Sequence, residues 1–90
     1  MEPEQITEIR EKGIKYAPTS LNVKLCTYST EKCLLLMDFV SGASYIYKDF
    51  PLEAWDDLVK YPSVGQFLSR RIKGNYYFEK IEEKKDEGRI

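Results

Sequence analysis

Lys60, Arg70, Arg71 and Lys73 are four bases with no acid among residues 58–78, and Tyr61, Tyr76, Tyr77 and Phe78 lie beside them in sequence. A guanidinium holds two phosphate oxygens in a bidentate fork, while the face of a tyrosine stacks on a base or a ribose. This combination therefore suits a nucleotide or single-stranded RNA. The expected contacts are Arg70, Arg71 and Lys73 on phosphate, with Tyr47, Tyr76 or Tyr77 stacking. The same cations also have a structural explanation, since bases at a helix C-terminus complement its dipole. The totals hide this segregation: 14 Lys plus Arg against 15 Asp plus Glu give a net charge of -1. Bulk attraction to nucleic acid or to a membrane is thereby excluded, and any such binding must be local.

Other chemistry is poorly supplied. The chain has no histidine, the residue most used for acid/base work near neutral pH and the commonest metal ligand. Asp56 and Asp57 are adjacent on a predicted helix and cannot face one site. Neither a P-loop nor a GxGxxG pattern is present. Cys26 and Cys33 form no CxxC pair, so zinc spacings and redox motifs are absent. The expectation is a non-enzymatic protein with no cofactor and no metal, whose two cysteines are reduced thiols in a core. The polar, acidic start Met1-Glu2-Pro3-Glu4 does not resemble a signal peptide, and no apolar run is long enough to span a membrane. A cytoplasmic protein is expected.

Ninety residues with 42% hydrophobic content can build one core and hence one domain. Residues 3–13 carry Ile6 and Ile9 at helical spacing and end at Gly13, which predicts a short N-terminal helix. Strands are predicted over 20–28, 33–40 and 44–49, joined by a turn at 29–32 and a glycine-containing connection at 41–43. A helix over 51–61 buries Leu52, Trp55, Leu58 and Val59. Ser63 and Gln66 then open a second helix, with Val64, Phe67, Leu68 and Ile72 inward and Gly74 at its close. The fold expected is α+β: a three-stranded antiparallel meander covered by two C-terminal helices, plus a short N-terminal helix. In this division 1–17 is an N-terminal helical extension, 18–78 the domain, and 79–90 a charged tail that is either a solvated helix or frayed.

The stretch from Ser20 to Phe78 resembles the KTSC domain, a short module named from its place at the C-terminus of some lysyl-tRNA synthetases and also found as a free-standing bacterial or phage protein. The resemblance rests on an ordered set: Tyr28; Leu35, Met37 and Phe39 alternating; Gly42; Tyr45-Ile46-Tyr47; Phe50-Pro51; Ser63-Val64-Gly65-Gln66-Phe67; Arg71-Ile72-Lys73-Gly74; and Tyr76. The chain departs from the pattern at Ser29, where an aspartate often follows the tyrosine. The resemblance implies a family usually of unknown function, with RNA binding proposed from the synthetase context. RNA thus becomes the first choice of ligand, and a free nucleotide or nucleotide signal the second.

Two features remain open in the sequence. Tyr45 and Tyr47 share one sheet face, as a stacking platform if that face is open and as core if helices cover it. A three-residue bulged connection would align them with Phe39 and Met37, and a two-residue turn would put them on the other face. The second strand is apolar on both faces, with Leu25, Leu34, Leu36 and Ile46 on the side away from Leu35, Met37 and Phe39. Something must cover that side, either the N-terminal helix or a second copy of the chain. The alternative function is accordingly a homo-oligomeric protein-interaction module acting through Leu25, Leu34, Leu36 and Ile46.

Overall fold

Five antiparallel strands in the order β1-β2-β3-β4-β5 form one sheet with helices on both faces, in a computed structural model that describes residues 3–81. The elements are α1 (Pro3–Lys12), β1 (Ile14–Tyr16), β2 (Val23–Ser29), β3 (Leu34–Phe39), β4 (Ser44–Tyr47), α2 (Leu52–Lys60), α3 (Val64–Phe67), a π-helical turn (Leu68–Ile72) and β5 (Phe78–Ile81). The α+β class matches the expectation, but the three-stranded meander is only the middle of the sheet. β1 escaped the sequence reading because three residues directly after a helix are too few to show a period. β5 escaped it because Glu79 and Lys80 read as the start of a charged tail, although charges are what an edge strand carries to resist further pairing. The rest of that expected tail, 82–90, lies outside the described residues.

Local chemistry sets the register. The β3–β4 connection is a three-residue loop, 40–42, in which the Phe39 N–H donates to the Ala43 carbonyl at 2.8 Å and the Gly42 N–H to the Phe39 carbonyl at 2.9 Å. Gly42 has φ of 102°, a conformation that glycine enters without a side-chain penalty. The loop pairs Met37 with Tyr45 and Leu35 with Tyr47, one alternation further along than expected but on the same face. In β2 a bulge between Val23 and Leu25 absorbs one residue. Val23 therefore faces the same side as Cys26 and Tyr28. At the β2–β3 turn the Lys32 N–H donates to Ser29 Oγ at 3.1 Å and the Cys33 N–H to the Ser29 carbonyl at 2.8 Å. This turn swings Cys33 outward, so only Cys26 is a core thiol and Cys33 is exposed.

One face of the sheet packs on α2, α3 and the π-turn. Tyr28 is at its centre: the ring stacks on Trp55 at 5.4 Å, meets Phe50 edge-on, and its hydroxyl donates to the Phe50 carbonyl at 2.6 Å. Leu35, Met37, Leu58, Phe67 and Ile72 fill the space around it. The opposite face is covered by the chain's own α1, whose Ile6 and Ile9 pack on Leu34, Leu36 and Ile46. A bidentate pair from Arg10 to Asp38, at 2.8 and 3.1 Å, fixes the helix across β3, and the Ser44 hydroxyl donates to the same carboxylate at 2.6 Å. A forked, partly buried pair of this kind holds an orientation more firmly than an exposed one.

Gly13 lets the end of α1 meet the sheet. A Cβ there would lie 2.6 Å from both the Ile9 carbonyl oxygen and the Thr27 methyl, and 2.9 Å from the Tyr28 carbonyl oxygen. Gly13→Ala is expected to lower the free energy of unfolding by about 1–3 kcal/mol through this overpacking. Urea denaturation checks it, and an unchanged midpoint would contradict so close an approach.

Burial pushes two core groups up, the Tyr28 phenol from 10.0 to about 12 with the nearby Cys33 thiol adding to the effect, and the Cys26 thiol from 9.0 to about 12 with Asp38 adding. Both are neutral when protonated, so the folded state holds its protons longer than the unfolded chain does. Their contribution is complete below about pH 9 and is lost as pH rises through the interval up to about 12. Denaturation midpoints measured across that alkaline window should fall.

Candidate functional site

α2, α3 and the π-turn leave one corner of their sheet face uncovered. The π-turn closes with the Lys73 N–H donating to the Leu68 carbonyl at 2.9 Å, and Gly74, with φ of 83°, turns the chain back toward β5. The Asn75 side chain donates to the Arg71 carbonyl at 2.9 Å and helps finish the helix end. A groove is left between this turn and the β3–β4 hairpin. Its first lobe, about 520 Å³, is lined by Phe39, Ser41, Ala43, Tyr45, Tyr47, Leu68, Lys73, Gly74 and Phe78. A second lobe of about 530 Å³ continues past Phe39, Ser41, Leu68 and Lys73 to Leu21, Asn22, Val40, Gly65 and Ser69.

The floor of the first lobe is aromatic. Phe39 meets Tyr45 edge-on at 5.7 Å, and Phe78 lies 5.6 Å from Tyr45 and 5.8 Å from Tyr47. Phe78 is 51% exposed although it lies among rings, so part of its surface is free to take a flat partner. Tyr45 is half-buried and Tyr47 is buried. The pair is thus both core and platform: Tyr47 supports and Tyr45 and Phe78 are presented. Burial, with Tyr45 nearby, raises the Tyr47 phenol above the ordinary tyrosine value, which keeps its hydroxyl a neutral donor. Lys80 is the cross-strand partner of Tyr45, so its exposed side chain leaves the sheet on the groove's side. Among the described residues no carboxylate lines either lobe.

The structure brings together only two of the six ligand residues expected from the sequence. Tyr47 and Lys73 line the groove. Arg71 points toward α2, where it lies 3.6 Å from Asp57 and its guanidinium sits 5.4 Å from the Phe67 ring. Arg70 is exposed but does not line the groove. Tyr76 packs on Phe50 at 4.9 Å, and Tyr77 lies under the Lys48 ammonium at 5.2 Å, which in turn pairs with Glu79 at 3.3 Å. Neighbours in sequence on a helical turn point in different directions, and closeness along the chain concealed this. The sequence offers Tyr45 only as one of a platform-or-core pair with Tyr47, and Phe39 and Phe78 are absent from the expected ligand contacts. No periodic signal marks the last of them, because each face of its strand carries one apolar and one charged residue, Phe78 with Lys80 and Glu79 with Ile81.

The interaction face expected as the alternative is also rearranged. Leu34, Leu36 and Ile46 are buried beneath α1, whereas Leu25, half-buried and paired with Asp38, is not part of that cluster. A second copy could reach the buried side chains only by displacing the helix. Among the described residues no group of three or more Cys, Asp or Glu is placed to hold a metal ion, and no helix is long and apolar enough to cross a membrane.

Comparison with known proteins places this geometry in a known frame. The family model of the KTSC domain matches residues 19–77. A lysine–tRNA ligase of Trichormus variabilis is 33% identical over 64 residues, which are 71% of this chain and 11% of the ligase. A protein of Tsukamurella paurometabola is 30% identical over 54 residues, 60% of this chain and 81% of that protein. The crystal structure of a KTSC domain protein from Yersinia pestis superposes with a TM-score of 0.70 at 24% identity, over 77% of this chain and 97% of that one. α1 and β1 precede the matched stretch, and β5 lies beyond it.

The raised Tyr47 phenol has a direct spectroscopic consequence. In an alkaline titration followed by phenolate absorbance, Tyr47→Phe should remove a component that ionises later than free tyrosine. Loss of an early component instead would contradict the buried position of this ring.

Proposed function

The chain belongs to the KTSC domain family, and we propose that it is a non-catalytic binding module that takes a phosphate-bearing ligand, RNA first and a free nucleotide second, in the groove between the β3–β4 hairpin and the π-turn. The observation that carries this reading is the aromatic floor of Phe39, Tyr45, Tyr47 and Phe78 with Lys73 at its rim and, among the described residues, no carboxylate in the lining. Rings whose edges and faces are partly free stack on bases of any sequence, and an ammonium beside them neutralises the phosphate that follows. Lys80 adds a second cation on the same side. Single-stranded ligand is favoured over duplex, because only an unstacked base presents its face to the rings of the floor.

The lysine–tRNA ligase among the relatives is named for a tRNA, which agrees with an RNA ligand for the shared stretch, although that stretch is 11% of the ligase. The non-catalytic assignment rests on the lining itself, in which the described residues offer an amine, two phenols and a hydroxyl but no carboxylate or thiol to act as base or nucleophile. We place the protein in the cytoplasm, where the free thiols of Cys26 and Cys33 stay reduced. Association through Leu34, Leu36 and Ile46 is disfavoured, since α1 occupies that face.

Fluorescence anisotropy with a labelled single-stranded RNA tests the reading. Phe78→Ala should weaken binding by about 1–3 kcal/mol through lost stacking. Lys73→Ala should weaken it at low salt and reduce the salt dependence by about one phosphate contact. Arg71→Ala, which alters a side chain turned toward α2, should change affinity less than Lys73→Ala. If the Arg71 variant loses binding while Lys73→Ala and Phe78→Ala keep it, the ligand lies on the α2 side of the helix and the groove is not the site.

A further inference from the structure

The groove continues beyond its aromatic lobe. Each lobe, at about 520 and 530 Å³, falls within the range that holds a small organic ligand. The two are chemically unlike. The first has stacked rings, whereas the second has the Asn22 amide and the Ser69 hydroxyl against an apolar wall that includes Leu21, 94% exposed, and Val40, 59% exposed. Asn22 uses its backbone N–H and carbonyl within the structure, the former to Ser20 Oγ at 3.1 Å and the latter to the Val40 N–H at 2.8 Å. Its backbone is thereby fixed at the mouth of the second lobe. A primary amide offers a donor and an acceptor side by side, the pattern that reads the edge of a base. Lys73 lines both lobes.

We infer that the groove takes two successive nucleotides, with Lys73 on the phosphate that links them, one base stacked on the Tyr45 and Phe78 side and the next held in the second lobe against Asn22. This rests on the nucleotide-binding reading above and extends it: the natural ligand is an oligomer, and the second lobe supplies base preference. One ammonium placed between two base sites matches the repeat of a single strand, which carries one phosphate for each base. With a mononucleotide, half of the groove would remain in water.

Calorimetry on the intact protein at one fixed salt concentration, with a nucleoside monophosphate, the corresponding dinucleotide and a short single-stranded RNA, tests the inference. The dinucleotide should bind at least about tenfold more tightly than the monophosphate, as two adjoining base contacts require. Val40→Glu changes an exposed side chain that lines only the second lobe; it should abolish that gain, weakening the dinucleotide far more than the monophosphate. Asn22→Ala should flatten differences among dinucleotides that vary in one base. Circular dichroism and denaturation of each variant separate lost binding from lost fold. Equal affinity for monophosphate and dinucleotide, with Val40→Glu silent, overturns the two-nucleotide inference and leaves a mononucleotide site standing. No binding of any of the three ligands overturns both the inference and the reading on which it rests.

Discussion

Leu34, Leu35, Leu36 and Met37 are consecutive in β3 and all are buried, so the strand they form has no side left for water. A strand apolar on both faces is stable only where both faces are covered, and this requirement organises the rest of the chain. α2, α3 and the π-turn lie over Leu35 and Met37, while α1 lies over Leu34 and Leu36. Gly13 and the Arg10–Asp38 pair exist in this context as devices that bring a marginally apolar ten-residue helix onto the sheet and hold its direction. Such a helix would be unstable alone in water.

The same covering leaves the groove. α2 carries Trp55 and Leu58 to the centre of the sheet, where Tyr28 joins strand to helix by stacking and by its bond to the Phe50 carbonyl. The helical chain then stops at Gly74 before reaching the β4–β5 corner. β5 fills in the sheet there and adds Phe78 to a face already carrying Tyr45 and Tyr47. An aromatic surface thus persists at a corner that none of the described helices covers, beside the cation that ends the π-turn. π-type turns widen the backbone locally and recur at functional sites. Here the turn places Leu68 and Lys73 together on the groove while Arg71 is directed to Asp57.

Much of the fold was legible because it is written in local signals: Ile6 and Ile9 before Gly13, the Ser63 cap whose Oγ accepts from the Gln66 N–H, and glycine at 42 and 74. The two edge strands were not, since short charged strands carry almost no periodicity of their own and are recognised only through the partner that pairs with them. Of the candidate site, Tyr47 and Lys73 could be read, but the grouping of Arg70, Arg71, Tyr76 and Tyr77 with them was an inference from closeness in sequence. Side chains one position apart on a helix or strand point to different sides, so a patch counted along the chain divides among several surfaces. Phe39, Tyr45 and Phe78 come from three different strands, and only sheet register unites them. Cys33 likewise looked like core, and the Ser29-capped turn placed it outside.

The account turns on where a ligand sits, and the most direct measurement is amide chemical-shift mapping of the protein as a short single-stranded RNA is added. A ligand seated in the groove concentrates the shifts at Phe39, Tyr45, Lys73, Gly74 and Phe78 and leaves α1 and the strand positions beneath it unmoved. Shifts centred instead on Arg71 and α2, or on Leu34, Leu36 and α1, would contradict that placement.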